Sequence, residues 1–157
     1  MLVDTVRVYV AGGRGGNGAE AYDYRGPRKF YPNGGHGGKG GDIIFKADKN
    51  VRDLEFFKFN PRVIGNNGSN GGHNRMVGKQ GADSIIKVPI GTTIRSFDDN
   101  YLIRDLANAG DEVVVARGGR HGCGNQDNKP KTDGKPGEEI TVVLDFTIAS
   151  DIAFVGV

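Results

Sequence analysis

The sequence predicts a mainly β protein, a barrel or sandwich carrying a projecting bundle of glycine-rich polyproline II helices. Three observations point there. Apolar and polar residues alternate in short stretches along the chain, no stretch of a dozen residues has convincing helical periodicity, and 27 of the 157 residues are glycine, most of them spaced by three.

The strands come first in the chain. Val6, Val8 and Val10 alternate with Thr5, Arg7 and Tyr9, and the same period of two recurs in "DIIFKA" (42–47), "SIIKVPI" (84–90), "EVVVAR" (112–117) and "EITVVLDF" (139–146). β-branched residues at that spacing suit a pleated surface with one buried face. A hairpin is expected where "TTIRSF" (92–97) meets "YLIR" (101–104), because Asp98, Asp99 and Asn100 supply turn residues between them. One or two helical turns are expected in "VRDLEFFKF" (51–59) and in "DLANAG" (105–110). Short strands separated by turn signals are the pattern of a sandwich or barrel.

Between the strands lie four glycine blocks, at 12–18, 34–41, 65–72 and 118–124, which hold 19 of the 27 glycines. Gly12, Gly13, Gly15 and Gly16 open the first, and Gly34, Gly35, Gly37, Gly38, Gly40 and Gly41 make the second as a repeated Gly-Gly-X. Ordering a glycine costs roughly 0.5–1 kcal/mol relative to alanine, so these blocks together cost on the order of 10–20 kcal/mol. That is comparable to the whole stability of a domain. Either the blocks are flexible linkers or a geometry open only to glycine offsets the loss. Linkers carry serine and no register, whereas these blocks keep register and contain no serine but Ser69. A three-residue repeat matches the polyproline II helix, in which glycines line one edge and let neighbouring backbones touch. The third residues of the triplets, Arg14, Asn17, His36 and Lys39, are expected to point outward.

Composition excludes several classes of function. The longest apolar runs are about six residues, far short of the roughly 20 a transmembrane helix needs. The first ten residues alternate like a strand and lack a basic leader, and a single cysteine, Cys123, fits a reducing compartment. A cytoplasmic protein is the expectation. A net charge of +2 confines polyanion binding to local clusters.

Motifs for catalysis are absent or spurious. "GRGGNG" (13–18) and "GHGGKG" (35–40) match the dinucleotide fingerprint, yet "AEAYDYRGP" is too short before Pro27 for the helix whose N-terminus would face a pyrophosphate. His36, His73 and His121 lack metal-ligand spacing, and Cys123 lacks a basic partner, so no catalytic residue and no metal site is expected. Basic residues are more informative. Arg25, Arg28, Lys29, His36 and Lys39 occur without an intervening acid beside Tyr24, Phe30 and Tyr31; Arg75 and Lys79 form a second cluster; Arg117, Arg120, Lys129, Lys131 and Lys135 form a third. Basic loops can serve solubility alone. Three such loops between strands, one with aromatics able to stack on splayed bases, favour RNA contact.

Five motifs in order, "VYVAGGRGGNG" (8–18), "GGHGGKGGDIIF" (34–45), "GADSIIKVPIGT" (81–92), "VVVARGGRHGCGN" (113–125) and "LDFTIASDIAFVGV" (144–157), resemble the N-terminal domain of the Obg family of GTPases. The resemblance implies the Obg fold over residues 1–150, with six polyproline II helices projecting from the β unit. Residues 151–157 would be the first strand of a P-loop GTPase domain, with Gly156 the first glycine of the phosphate loop. It also implies a monomeric, ribosome-binding module in large-subunit assembly, touching rRNA and neither DNA nor membrane through Arg25, Arg28, Lys29, Arg75, Lys79, Lys129 and Lys131. The loops concerned would be about 24–33, 69–81 and 125–135. GTP and Mg²⁺ belong to the full-length parent, a GTP hydrolase, and no cofactor to this segment, which lacks the loop's lysine and hydroxyl. A module docking a stress-response or signalling protein is the alternative. Two departures stand out: "YDYRGPRKF" replaces the family's run of Phe-Arg-Arg-Glu-Lys type, and His121 and Cys123 stand where glycine and arginine are usual.

Overall fold

A computed structural model describes residues 2–148. The expected strand at 151–157, with Gly156 and the boundary at 150, lies outside them.

Two sheets enclose one core. In the first, β1 (Leu2–Ala11) pairs antiparallel with β10 (Glu139–Ile148) along its full length, from Leu2 opposite Ile148 to Ala11 opposite Glu139. On the far side of β10 lie β7 (Thr92–Ser96) and β8 (Leu102–Leu106), joined by the expected hairpin, and β5 (Arg62–Ile64) adds a short parallel edge beside β1. The second sheet has β4 (Ile43–Ala47) between parallel β6 (Ser84–Val88) and antiparallel β9 (Glu112–Ala116). Both sheets are open, so of the two architectures the sequence allowed, the sandwich is the one formed.

Alternation explains the packing. Val6, Val8 and Val10 of β1, Val142 and Leu144 of β10, Ile94 of β7 and Leu106 of β8 face Ile43, Phe45 and Ala47 of β4 in one buried cluster. A helical turn does form in the first expected place, as α1 (Glu55–Phe59), where Leu54 and Phe57 enter the core and Phe57 stacks on Phe45 at 6.0 Å between ring centroids. In the second it does not. Asp105 and Leu106 complete β8 opposite Thr93 and Thr92, since ladder pairing and full burial of Leu106 outweigh local helix propensity.

The glycine blocks carry neither helix nor ladder, yet they are bonded throughout. From Gly12 to Ala19, successive amides turn to three neighbours in rotation. Gly12, Gly15 and Gly18 donate to the carbonyls of Glu138, Lys135 and Thr132 at 2.9 Å; Gly13, Gly16 and Ala19 donate to Gly41, Gly38 and Gly35 at 2.8–3.0 Å. The remaining amides, Arg14 and Asn17, reach the side-chain oxygens of Asn67 and Asn70, both at 2.9 Å. Carbonyls follow the same repeat: Ala11, Arg14 and Asn17 accept from Gly65, Gly68 and Gly71, and Gly13, Gly16 and Ala19 from Gly119, Gly122 and Asn125. The packing is tight enough that a methyl group on Gly40 would overlap the Gly13 carbonyl.

Six runs take part, at 12–19, 34–41, 65–72, 78–83, 118–125 and 131–138. Two of them, 78–83 and 131–138, hold only one Gly-x-x-Gly each, Gly78 with Gly81 and Gly134 with Gly137. The third residues of the triplets do not all turn outward as the repeat suggested. Asn17 accepts the Gly134 amide at 3.0 Å and His36 Nδ1 accepts the Gly124 amide at 3.0 Å, because a buried backbone donor between runs needs an acceptor. Arg14 and Lys39 are exposed.

Candidate nucleic-acid interface at the tip of the bundle

Chain direction fixes which loops meet. Each run has one end at the sandwich, near residues 11, 42, 65, 84, 117 and 138, and the other at the connections 20–33, 73–77 and 125–130. Those three connections form the tip.

The first is a hairpin of β2 (Tyr22–Tyr24) and β3 (Phe30–Pro32), which the periodicity did not disclose because both strands are three residues long and exposed. Tyr24 and Phe30 meet edge to face at 4.9 Å. The turn closes with Arg25 donating to Lys29 O and Lys29 to Gly26 O; Gly26 at φ 135° and Arg28 at φ 62° make the reversal. Arg25 is held by Asp23 at 2.9 Å and lies over the Tyr31 ring at 5.1 Å. The Asp23 hydrogen bond raises its pKa further, so it stays a cation.

The other two loops are tied to this hairpin by asparagines. Arg75 donates its amide to Asn33 O at 2.7 Å, and Asn33 Nδ2 donates to Asn74 Oδ1 at 3.1 Å. Asn74 and Arg75 both adopt left-handed φ, 55° and 58°. In the third loop Asn125 Oδ1 accepts the amides of Gly34 at 2.8 Å and Ala21 at 3.4 Å. Asn33, Asn74 and Asn125 therefore fix the tip. They were missed in the sequence because their types match the turn residues around them; the signal was their place at the tip ends of glycine runs.

Two cavities open at this tip, on either side of Pro32. One, of about 280 Å³, lies among Asp23, Arg25, Tyr31, Asn33, Asn74 and Arg75. The other, of about 290 Å³, lies among Glu20, Tyr22, Asn125, Asn128, Lys129 and Pro130. The basic residues singled out from the sequence distribute unevenly. Arg25, Arg28, Lys29, Arg75 and Lys129 converge on the tip, and among the described residues Arg28, Lys29, Arg75 and Lys129 form no ion pair. Lys131 pairs with Asp133 at 3.1 Å where the last run begins. Lys79 lies on the shaft, level with Gly38 and Ser69, whose amide it accepts at 2.8 Å.

The first glycine fingerprint, 13–18, offers no phosphate cradle. Every amide from Gly13 to Gly18 is already bonded to a neighbouring run. His36 and His121 approach to 5.7 Å between centroids, but His36 Nδ1 is occupied and among the described residues no three His, Cys, Asp or Glu gather as a metal site. Cys123 is free and exposed. Among the described residues no helix is long and apolar enough to cross a membrane.

A family model described as GTP1/OBG matches residues 3–148. Among curated proteins the chain is similar to the GTPase Obg of Fusobacterium nucleatum, at 42% identity over 99% of this chain and 39% of that protein. It is likewise similar to the GTPase Obg of Caldicellulosiruptor bescii, at 40% identity over 99% and 39%, and to that of Persephonella marina, at 38% over 99% and 48%. The chain thus spans about two fifths to one half of the length of these relatives.

Proposed function

Since this chain belongs to the GTP1/OBG family, we propose that it is the recognition domain of a GTPase and carries its basic tip to folded RNA of the large ribosomal subunit during assembly. The six runs act as polyproline II coils, and the three-residue rotation of their hydrogen bonds supports that reading. Bonded to one another at every third residue, they make a stiff prong rather than a tether.

The observation that carries the proposal is the convergence of three loops with a joint excess of cations, lashed by Asn33, Asn74 and Asn125, at one end of that prong. In those loops Arg25, Arg28, Lys29, Arg75 and Lys129 outnumber the acids Glu20, Asp23 and Asp127. Exposed Tyr24, Phe30 and Tyr31 offer faces for unstacked bases. RNA binding by position and shape, with phosphates as the main contacts, is what such a surface suits.

GTP and Mg²⁺ would be bound elsewhere in the full-length protein. The described residues do not fit them, because the glycine amides of the runs are already donated to neighbouring carbonyls and side chains. This domain would position the GTPase, and nucleotide state would gate how firmly the prong is held.

Cosedimentation with purified large subunits over a range of salt tests the reading. Replacing Arg28, Lys29, Arg75 and Lys129 by alanine should weaken binding and flatten the log–log salt slope by about 0.7–0.9 for each phosphate no longer neutralised. Lys79→Ala, on the shaft, should change little. A tip variant that cosediments like wild type at every salt concentration overturns the proposal.

A further inference from the structure

Of the two tip cavities, one is lined by Asn125, a residue with an unspent donor. Asn125 is only 4% exposed. Two backbone amides on its Oδ1 fix which end of the side chain is nitrogen, and Nδ2 is then buried with no hydrogen-bond partner. Such a group is rare in a folded protein and is stabilised by any acceptor brought to it. The same cavity is lined by Glu20, Tyr22, Pro32 and Lys129. Glu20 is exposed, and among the described residues its carboxylate accepts just one hydrogen bond, a long one from the Tyr22 hydroxyl, 3.4 Å. Tyr22 leaves 44% of its surface open.

Resting on the RNA-binding reading above, we propose that this cavity takes one unstacked guanine with its phosphate. Asn125 Nδ2, uncovered as the base enters, donates to the guanine O6, the Glu20 carboxylate accepts from N1–H and the 2-amino group, Tyr22 stacks on the ring, and Lys129 meets the phosphate. A donor and a carboxylate that line one cavity select a base whose carbonyl adjoins two N–H donors. Adenine has no carbonyl to offer Asn125. Cytosine would turn a ring-nitrogen lone pair toward the carboxylate. Uracil has one N–H between two carbonyls, the second of which would face the carboxylate. Guanine alone presents the complementary edge.

Two probes separate the sources of that base: guanosine monophosphate alone, and a fluorescent heptanucleotide of adenines whose central base is varied. The heptanucleotide with central guanine should bind about tenfold or more tighter than those with central adenine, uracil or cytosine. Guanosine monophosphate should compete with it, and should shift the Asn125 side-chain amide resonance. Glu20→Gln, which turns an acceptor into a donor at the surface, should abolish the preference without changing the thermal midpoint. Asn125→Asp keeps an oxygen for Gly34 and should do the same if it folds. Equal binding of all four heptanucleotides, or a guanine preference that survives Glu20→Gln, overturns the proposal. If no probe binds while wild type still cosediments with large subunits, the guanine pocket falls and the RNA-binding reading stands. Guanine preference without cosedimentation leaves the pocket standing and removes the ribosomal reading.

Discussion

Replacing Gly65 by alanine tests whether the runs are packed backbone to backbone. A Cβ at Gly65 would stand 2.6 Å from the Gly13 nitrogen and 2.9 Å from the Gly41 oxygen. Those two atoms are donor and acceptor of one hydrogen bond, 2.9 Å long, that joins the first run to the second. Ordinary contact is about 3.5 Å, so the methyl group falls roughly 0.6–0.9 Å short of fitting. Moving the run 65–72 outward would strain its own bonds to Ala11 and Arg14, and staying put would break the Gly13–Gly41 bond. Losing one or two such bonds, with buried partners left unpaired, costs about 2–5 kcal/mol. Gly72, at the other end of the same run, is the control. Its nearest neighbour for a Cβ is Met76 Cβ at 3.5 Å, so alanine there should change stability by less than about 1 kcal/mol, and toward stabilisation through the unfolded chain. Urea unfolding followed by circular dichroism gives both numbers on one scale. Equal stabilities for Gly65→Ala and Gly72→Ala would refute the interlocked bundle, as would rapid amide exchange at Gly13, Gly16 and Gly38 in the wild type.

Two further outcomes follow from the core and from the base of the prong. Phe45→Ala, which empties a fully buried site between the sheets beside Phe57, should cost about 3–5 kcal/mol in the same assay with the denaturant slope unchanged. Asp42 governs acid sensitivity. Its burial acts to raise its pKa, but Lys39 at 2.7 Å and the Gly118 amide at 2.7 Å outweigh it and hold the carboxyl below its ordinary 3.8. With the folded value the lower one, the stability it contributes is complete above 3.8 and is lost as pH falls through the folded value. The gap in thermal midpoint between wild type and Asp42→Asn should therefore be widest near neutral pH and close below about pH 4.

Strand identity was legible wherever one face is buried, because Val6, Val8 and Val10 or Ile43 and Phe45 impose a period of two on the sequence. Exposed β2 and β3 had no such imprint, and "DLANAG" read as helical because burial of Leu106 in a ladder is a tertiary fact. Four glycine blocks announced themselves by density. The runs at 78–83 and 131–138 did not, since a run at the edge of the bundle needs a bare backbone only where Gly78, Gly81, Gly134 and Gly137 meet a neighbour. Charge clusters located five of the tip cations but also drew in Lys79, as net charge along a chain does not say which way the chain is travelling. The asparagines that fix the tip carry no charge and no periodicity, so the one mark on Asn33 and Asn125 was their place beside Gly34 and Gly124, where ordinary turn residues also occur.

The pairing of β1 with β10 also sets when the molecule can come into being. Thr5 donates to Asp145 across 140 residues of sequence, and the first glycine run finds partners as late as Glu138. A nascent chain can bond the run 12–19 to 34–41 and 65–72, but the partners at 118–125 and 131–138 and the whole of β10 come late. Closing such distant loops precedes the gain from the longest ladder, which places this domain among slow folders. Until β10 is made, the β1 edge that it will cover stays unpaired, and an unpaired strand edge is prone to aggregate.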